Sequence, residues 1–392
     1  MSDWTIIHGD CLDEMRKMEA NSIDAIVTDP PYGLHFMGKD WDSFKQKVTH
    51  GFNVPGQPRI TGFAKSDGSA LAGTYDESRN DEFQAFIACV GREALRICKP
   101  GAHLLMCGAP RRFHRQICAL EDAGWEIRDC VMWLFGQGFP KSHNFGRKIG
   151  GEWAGWGTAL KPAYEPIIMA MKPCEGTFAK NAEKWGVAGI NIDASRIEGN
   201  MEGAHYGGKK ISDNRFFPGI AGSGYATIKP QLGRWPANVI LDEAAAAMVD
   251  EMSGQSKSKG FKQTKNTTGF HHCLGRNAKN RIDDGGHFDS GGASRFYYCP
   301  KASSAERGEA NNHPTVKPLR LMQYLIRLIM PPKDGILLDP FAGSGSTIVA
   351  AKQMGAKAIG IEKCAEYVEI ARARVAGASI NQQMELFEQE TA

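Results

Sequence analysis

The 392 residues contain no unbroken apolar run of the roughly 18 residues that a membrane-spanning helix needs. The opening MSDWTIIHGD has neither a basic leader nor a signal-peptide core. A soluble, cytoplasmic chain is therefore expected. The ten cysteines include no CxxC pair, and Cys89, Cys98, Cys107, Cys118 and Cys130 sit inside apolar segments. That excludes a disulfide framework and reads as reduced core thiols. His271, His272, Cys273 and the distant Cys299 match no zinc spacing, so no metal is expected. Net charge is small as well, +3 from 47 basic and 44 acidic side chains.

Balance overall hides a local excess. From 256 to 307 ten basic residues face four acids, with Phe261, Phe270, Phe288, Phe296, Tyr297 and Tyr298 interleaved. Such a segment suits a surface that tracks phosphates and stacks bases, and equally a solvated insertion.

With 42% hydrophobic residues the chain can bury more than one core. Short β-branched runs recur at 5–8, 23–29, 103–108, 127–135, 166–171, 336–339 and 358–362. Helical patterns lie between them. Asn80 reads as the cap of one helix, with Phe83, Phe86, Ile87, Val90, Ala94 and Ile97 on its apolar face and Lys99-Pro100-Gly101 ending it. Pro318 opens another, closed by Pro331-Pro332. Alternating strands and helices predict an α/β fold, a largely parallel sheet covered on both faces. Residues 34–79 and 173–309 break the rhythm, the first as a mobile loop and the second as a separate, loop-rich insertion domain.

Two strand ends carry chemistry. The run ending Thr28-Asp29-Pro30-Pro31-Tyr32-Gly33 stops on an acid, two prolines and an aromatic. The run ending Asp339-Pro340-Phe341-Ala342-Gly343-Ser344-Gly345-Ser346-Thr347 enters a helix through a glycine turn, where open α/β sheets bind nucleotides. A P-loop needs a lysine where Gly345 stands, and a dinucleotide fingerprint needs a small residue where Ile348 stands. The adenosyl group of S-adenosylmethionine remains, with Glu362 at the next strand end placed for its ribose. Too little chain follows Glu362 to complete a sheet, so both motifs belong to one sheet with their carboxyl ends on one edge.

The chain resembles the amino-methylating, site-specific DNA methyltransferases of the permuted β group, in which DPPY comes first and FxGxG last. The likeness rests on H-G-D at 8–10, D-P-P-Y at 29–32, K-P-A-Y-E-P-I at 161–167, R-W-P-A-N at 234–238, N-N-H-P-T-V-K-P at 311–318, D-P-F-A-G-S-G-S-T at 339–347 and G-I-E at 360–362. It implies a Rossmann-like S-adenosylmethionine-dependent fold. Residues 1–172 would form the N-terminal part of the catalytic domain, 173–309 the target-recognition region, 310–377 the cofactor-binding part and 378–392 a tail.

By the same resemblance Asp10 would receive the cofactor's adenine amino group, unless it only caps the helix after it, and Glu362 the ribose. Asp29, Asp339, Phe341, Gly343, Ser344, Gly345, Ser346 and Thr347 would line the cofactor site, with Thr315 and Lys317 beside the methionine end. Asp29, Pro30, Pro31 and Tyr32 would be catalytic. An exocyclic amine is a weak nucleophile because its lone pair is delocalised into the ring. Hydrogen bonds to the Asp29 carboxylate and the Pro30 carbonyl would free it for attack, with Tyr32 against the flipped base.

The resemblance favours adenine N6 over cytosine N4, since DPPY is commoner in the adenine enzymes. RNA or protein-glutamine methylation, usually marked by Asn-Pro-Pro-Tyr, is a further alternative. Pro173-Cys174 is similar to the nucleophile pair of cytosine-C5 enzymes, but those carry the two motifs in the opposite order. Double-stranded DNA is the expected partner, through Lys257, Lys259, Lys262, Lys265 and Arg276. A homodimer is also expected to be possible. Gln383, Leu386 and Phe387 resemble the peptide by which bacterial proteins dock on the sliding clamp, though such a tail can also fold back. A bacterial or phage-encoded protein is implied.

Overall fold

The computed structural model describes residues 3–32, 77–138, 142–197, 233–257, 289–300, 317–332 and 334–380. Its centre is a sheet of eight strands in the order β1-β10-β9-β2-β3-β5-β4-β6. These are β1 (Trp4–His8), β2 (Ile23–Thr28), β3 (Cys98–Cys107), β4 (Glu126–Leu134), β5 (Tyr164–Met171), β6 (Val239–Leu241), β9 (Ile336–Asp339) and β10 (Lys357–Glu362). All neighbours run parallel except β5, which is antiparallel to both β3 and β4. A two-stranded ribbon pairs β7 (Ser256–Lys257) with β8 (Ser290–Gly291).

Helices cover both faces, as a mostly parallel sheet requires. Strand alternation decides which side chain goes where. Ala25 and Val27 of β2, Leu105 of β3 and Ile167 of β5 face one way. They pack with Leu321, Leu325 and Ile326 of α7 (Leu319–Ile329), Ile348 and Val349 of α8 (Ser346–Gln353) and Val368 of α9 (Ala365–Gly377). Ile26, Leu104, Met106 and Ile168 face the other way. There they meet Met15 of α1 (Cys11–Lys17), Phe83 and Ile87 of α2 (Glu77–Ile97) and Leu120 of α3 (Phe113–Asp122).

Three expectations need correction. Asn80 does not cap its helix: α2 starts at Glu77, and Asn80 is buried within its first turn. Nothing in Glu77-Ser78-Arg79 breaks a helix, so a good capping residue one turn later does not start it. The helix ends at Ile97, just before Lys99-Pro100-Gly101 as expected, but the next strand starts earlier than residue 103. β3 begins at Cys98, and the register jumps from Ile23↔Cys98 to Ala25↔His103, so the Pro-Gly pair is taken up as a bulge. Gly101 has φ +82°, and a Cβ there would collide with the Asn181 amide.

The 173–309 stretch, finally, is not wholly separate from the sheet. β6, from within the 173–309 stretch, pairs with β4 through Met132↔Val239 to Leu134↔Leu241. Asn181 of α5 (Phe178–Trp185) is buried and ties that helix to Pro100 O at 2.8 Å. Tyr298 stacks on Tyr324 of α7 at 3.8 Å. The described parts of this stretch thus share the core of the sheet. α6 (Glu243–Ser253) follows β6, capped by Asp242, whose carboxylate accepts from Ala245 N. Of the expected loop 34–79, all but the start of α2 lies outside the described residues.

Candidate active site

Parallel pairing sets the ends of β2 and β9 side by side, with Ala25↔Leu337 and Ile26↔Leu338 in register. Just past the paired segment, the buried Thr28 hydroxyl donates to Asp339 Oδ1 at 2.7 Å, joining the two motifs that the sequence holds 311 residues apart. Asp339 also accepts from Phe341 N–H at 3.1 Å and from the Thr347 hydroxyl. Burial raises its carboxyl to about 6 against the opposing effect of these donors.

Beyond Thr28 the chain leaves the sheet. Asp29 and Tyr32 are partly buried, and four side chains meet there. Tyr32 Oη lies 2.7 Å from Asp29 Oδ1 and 2.7 Å from Glu165 Oε1, and its one proton serves one carboxylate at a time. The Lys317 ammonium lies 2.7 Å from Asp29 Oδ2, 2.8 Å from Glu165 Oε1 and 3.3 Å from Tyr32 Oη. Burial disfavours charge on Lys317, but the two carboxylates outweigh it and hold the ammonium well above the ordinary lysine range. Burial raises the Glu165 carboxyl. Burial and the neighbouring carboxylates also push the Tyr32 phenol well up, keeping it neutral. Asp29, Cys107 and Glu165 lie close enough together to hold a metal ion, but the cation between the two carboxylates is the protein's own lysine.

Glu165 carries no role in the sequence reading. The signal was an acid at the start of the apolar strand E-P-I-I-M-A-M, inside a family-like segment. Its significance depends on strand direction: β5 is antiparallel, so its first residues reach the edge that the other strands reach with their last. The same geometry sends Cys174, three residues past the end of β5, to the opposite edge of the sheet. Lys317, expected beside the methionine end of the cofactor, stands at Asp29, itself expected to line that site. Thr315 lies outside the described residues.

The glycine turn between β9 and α8 fits its expected form. Gly343 and Gly345 take φ +52° and +81°. A Cβ on Gly345 would come within 3.0 Å of Ala371 Cβ in α9. Behind the turn Arg374 donates to Ser344 O at 2.6 Å, Ser344 Oγ at 2.9 Å and Ser346 Oγ at 3.2 Å, so both hydroxyls face α9. Phe341 meets Phe86 of α2 edge to face at 6.0 Å. Glu362 spans the turn, accepting from Gly343 N–H at 2.9 Å and Cys364 N–H at 2.7 Å. One strand over, Asp10 caps α1 through Leu12 N–H at 3.0 Å, and its other oxygen pairs with Lys363 at 3.1 Å. His8↔Glu362 pairing brings these two acids to one edge.

Of the expected DNA-binding residues only Lys257 is described; it is exposed on the ribbon β7–β8. Lys259, Lys262, Lys265 and Arg276 lie outside the described residues, as do Gln383, Leu386 and Phe387 of the tail. Arg295, counted with the basic stretch, is structural: it donates to Gly291 O and Gly292 O at 2.6 Å and pairs with Asp289 at 3.4 Å. No described helix is long and apolar enough to cross a membrane.

Comparison with known proteins adds the family. A model for DNA methylases of the N6/N4 type matches residues 23–373. The type II methyltransferase M.HindIII of Haemophilus influenzae is 24% identical over 370 residues, covering 91% of this chain and 90% of its own length. Among solved structures, M1.HpyAVI in complex with SAM is 16% identical with a TM-score of 0.39, covering 95% of this chain and 98% of that one. The cytosine-N4-specific PvuII DNA methyltransferase is 13% identical with a TM-score of 0.43, covering 95% of this chain and 88% of that one.

Proposed function

Because the chain belongs to the N6/N4 family of site-specific DNA methylases, we propose that it transfers a methyl group from S-adenosylmethionine to the N6 of an adenine flipped out of duplex DNA, with the Asp29 cluster as its catalytic centre. The observation that supports this most is the Thr28–Asp339 hydrogen bond, which joins the strand end carrying Asp29 to the glycine turn. Asp29 in DPPY supports adenine.

The residues present suit the cofactor. A turn with two glycines at positive φ leaves bare backbone for a ligand, and Asp10 and Glu362, on adjacent strand ends, offer acceptors for an amine and a ribose diol. When bound, S-adenosylmethionine supplies an electrophilic methyl on sulfur. Asp29 and the Pro30 carbonyl accept the two amine hydrogens and turn the nitrogen lone pair out of ring conjugation. As the nitrogen took the methyl from sulfur, which would keep the electron pair of the broken bond, it would give up one proton, and the Asp29 carboxylate would receive it.

Both Asp29 oxygens already have partners, but each has a second lone pair free for the amine. Glu165 keeps Lys317 shared and Tyr32 oriented, so that neither commits wholly to Asp29. The Tyr32 ring, held by its hydroxyl at one end, presents a fixed face to the base. Lys257, with Lys259, Lys262, Lys265 and Arg276, would contact phosphates in the 173–309 region. Neutralising the four lysines should weaken DNA binding and flatten its salt dependence. A homodimer and a sliding-clamp dock through Gln383, Leu386 and Phe387 are read by sedimentation and by a clamp pull-down with Leu386→Ala and Phe387→Ala.

Tritiated methyl transfer to duplex DNA, followed by nucleoside analysis, tests the reading. Label in N6-methyladenine is expected. Label in N4-methylcytosine would replace the base, and no label in DNA would overturn the activity.

A further inference from the structure

The connection between β4 and β5 leaves and re-enters the sheet on the edge that carries Asp29, since Leu134 pairs with Tyr164 and the strand beyond runs straight into Glu165. This connection is built rather than slack. His143 N–H donates to Thr158 Oγ1 and Thr158 N–H to Ser142 Oγ, both at 2.9 Å, closing its base. Gly146 N–H donates to Trp156 O at 3.2 Å, and a Cβ on Gly146 would collide with the Trp153 carbonyl. The short helix α4 (Gly146–Ile149) and a 3-10 turn over Gly151–Trp153 complete it. Phe145, Trp153 and Trp156 form a chain of ring contacts at 5.8 and 5.1 Å.

Such a framework would ordinarily hide its apolar side chains. Here it displays them: of twelve large apolar side chains exposed among the described residues, five lie between 149 and 164, including Trp153, Trp156 and Leu160. An exposed apolar display of this kind, with Phe145, Trp153 and Trp156 in ring contact, marks an interaction surface. Arg147 and Lys148 lie in α4 directly after Phe145, and no carboxylate pairs with either among the described residues. Preset aromatic faces next to unpaired basic groups match the stacking and phosphate chemistry of nucleic acid, and the edge is the one that receives the target base.

We propose that residues 142–160 form a second DNA-contacting element, separate from the 173–309 region. Trp153 and Trp156 stack on bases unstacked when the target leaves the duplex, and Arg147 and Lys148 hold the adjoining phosphates. The proposal rests on the DNA-methylase reading above. The positive charge favours DNA over a second copy of this chain.

The test uses the full chain and a fluorescein-labelled 30-base-pair duplex bearing the site found methylated in expressing cells. Trp153→Ala with Trp156→Ala should weaken duplex binding about tenfold, the loss of one to two stacked bases. Trp156→Phe, which keeps a stacking ring, should bind within about twofold of wild type. Arg147→Ala with Lys148→Ala should reduce the slope of log K against log salt by about 1 to 2. Unchanged affinity and slope in these variants, with wild-type methyl transfer intact, would overturn the proposal. So would a wild-type self-association, seen by sedimentation without DNA, that Trp156→Ala abolishes. Absence of methyl transfer to DNA by wild type would instead remove the activity, and this element with it.

Discussion

The Lys317 ammonium bridges Asp29 and Glu165, 2.7 Å from one carboxylate and 2.8 Å from the other. Taking it away leaves two partly buried acids facing each other without a counter-charge. Lys317→Met should therefore destabilise the protein by about 3 kcal/mol, the lower end for a broken buried pair because each acid keeps some contact with water. Adding Glu165→Gln should return part of that loss. Urea unfolding of the two single variants and the double variant measures the coupling.

Asp29 is the acceptor on which the chemistry depends. Asp29→Ala should lower the methyl-transfer rate by roughly 10²–10³-fold, the usual effect of losing one preorganised polar group. Cofactor affinity, measured by calorimetry, should change far less, since the glycine turn and Glu362 are untouched.

Glu165 acts through its neighbours. Burial keeps its carboxyl protonated to a higher pH than an exposed glutamate. As pH rises through its raised pKa it ionises, and Lys317 is drawn from Asp29 toward it. The acid limb of the wild-type rate profile should thus lie above the ordinary carboxyl range, and Glu165→Gln should lose that limb. A merely structural glutamate would lower the rate equally at every pH.

Asp339 makes a separate prediction about stability. Its carboxyl moves from 3.8 to about 6 on folding, so between those values the folded state holds the extra proton. Stability from this group is complete below about pH 4 and declines as pH rises toward 6. The size is roughly 3 kcal/mol at most. Asp339→Asn, which keeps an oxygen for the Thr28 hydroxyl, should lack this decline, and thermal unfolding from pH 4 to 7 should show the two curves drawing apart.

Gly345 is fixed twice, by φ +81° and by Ala371 at 3.0 Å from any added Cβ. Gly345→Ala should destabilise by about 1–2 kcal/mol and weaken cofactor binding as the turn shifts. Gly355→Ala is the control. It has φ +73° with no atom near an added Cβ, so it should show the backbone cost alone.

Much of this was legible in the amino acids. The runs 23–29 and 336–339 announce buried strands, and the glycine turn announces its ligand edge, because period and turn chemistry are local properties. Strand direction is not local. Nothing in K-P-A-Y-E-P-I says that β5 runs backwards, so Glu165 could not be placed at the edge beside Asp29. The contact of Lys317 with Asp29 was hidden for a similar reason: H-P-T-V-K-P leads toward the glycine turn in sequence, yet the start of α7 meets the DPPY end. Glu362 stands at the tip of its strand as its sequence suggests, and Asp10 caps α1, the alternative its position offered, while the N–H groups that Glu362 accepts follow from turn geometry that only coordinates give.

β1 pairs with β10, and Asp29 meets Lys317 across 288 residues of chain. A ribosome therefore releases the acid long before its lysine, and the cleft cannot close until residue 317 has emerged. Folding of so non-local a sheet is slow, with the early half waiting on the late one. Prematurely terminated chains would carry DPPY but no means of methylation. For an enzyme that marks DNA, assembling the site last leaves incomplete copies inert.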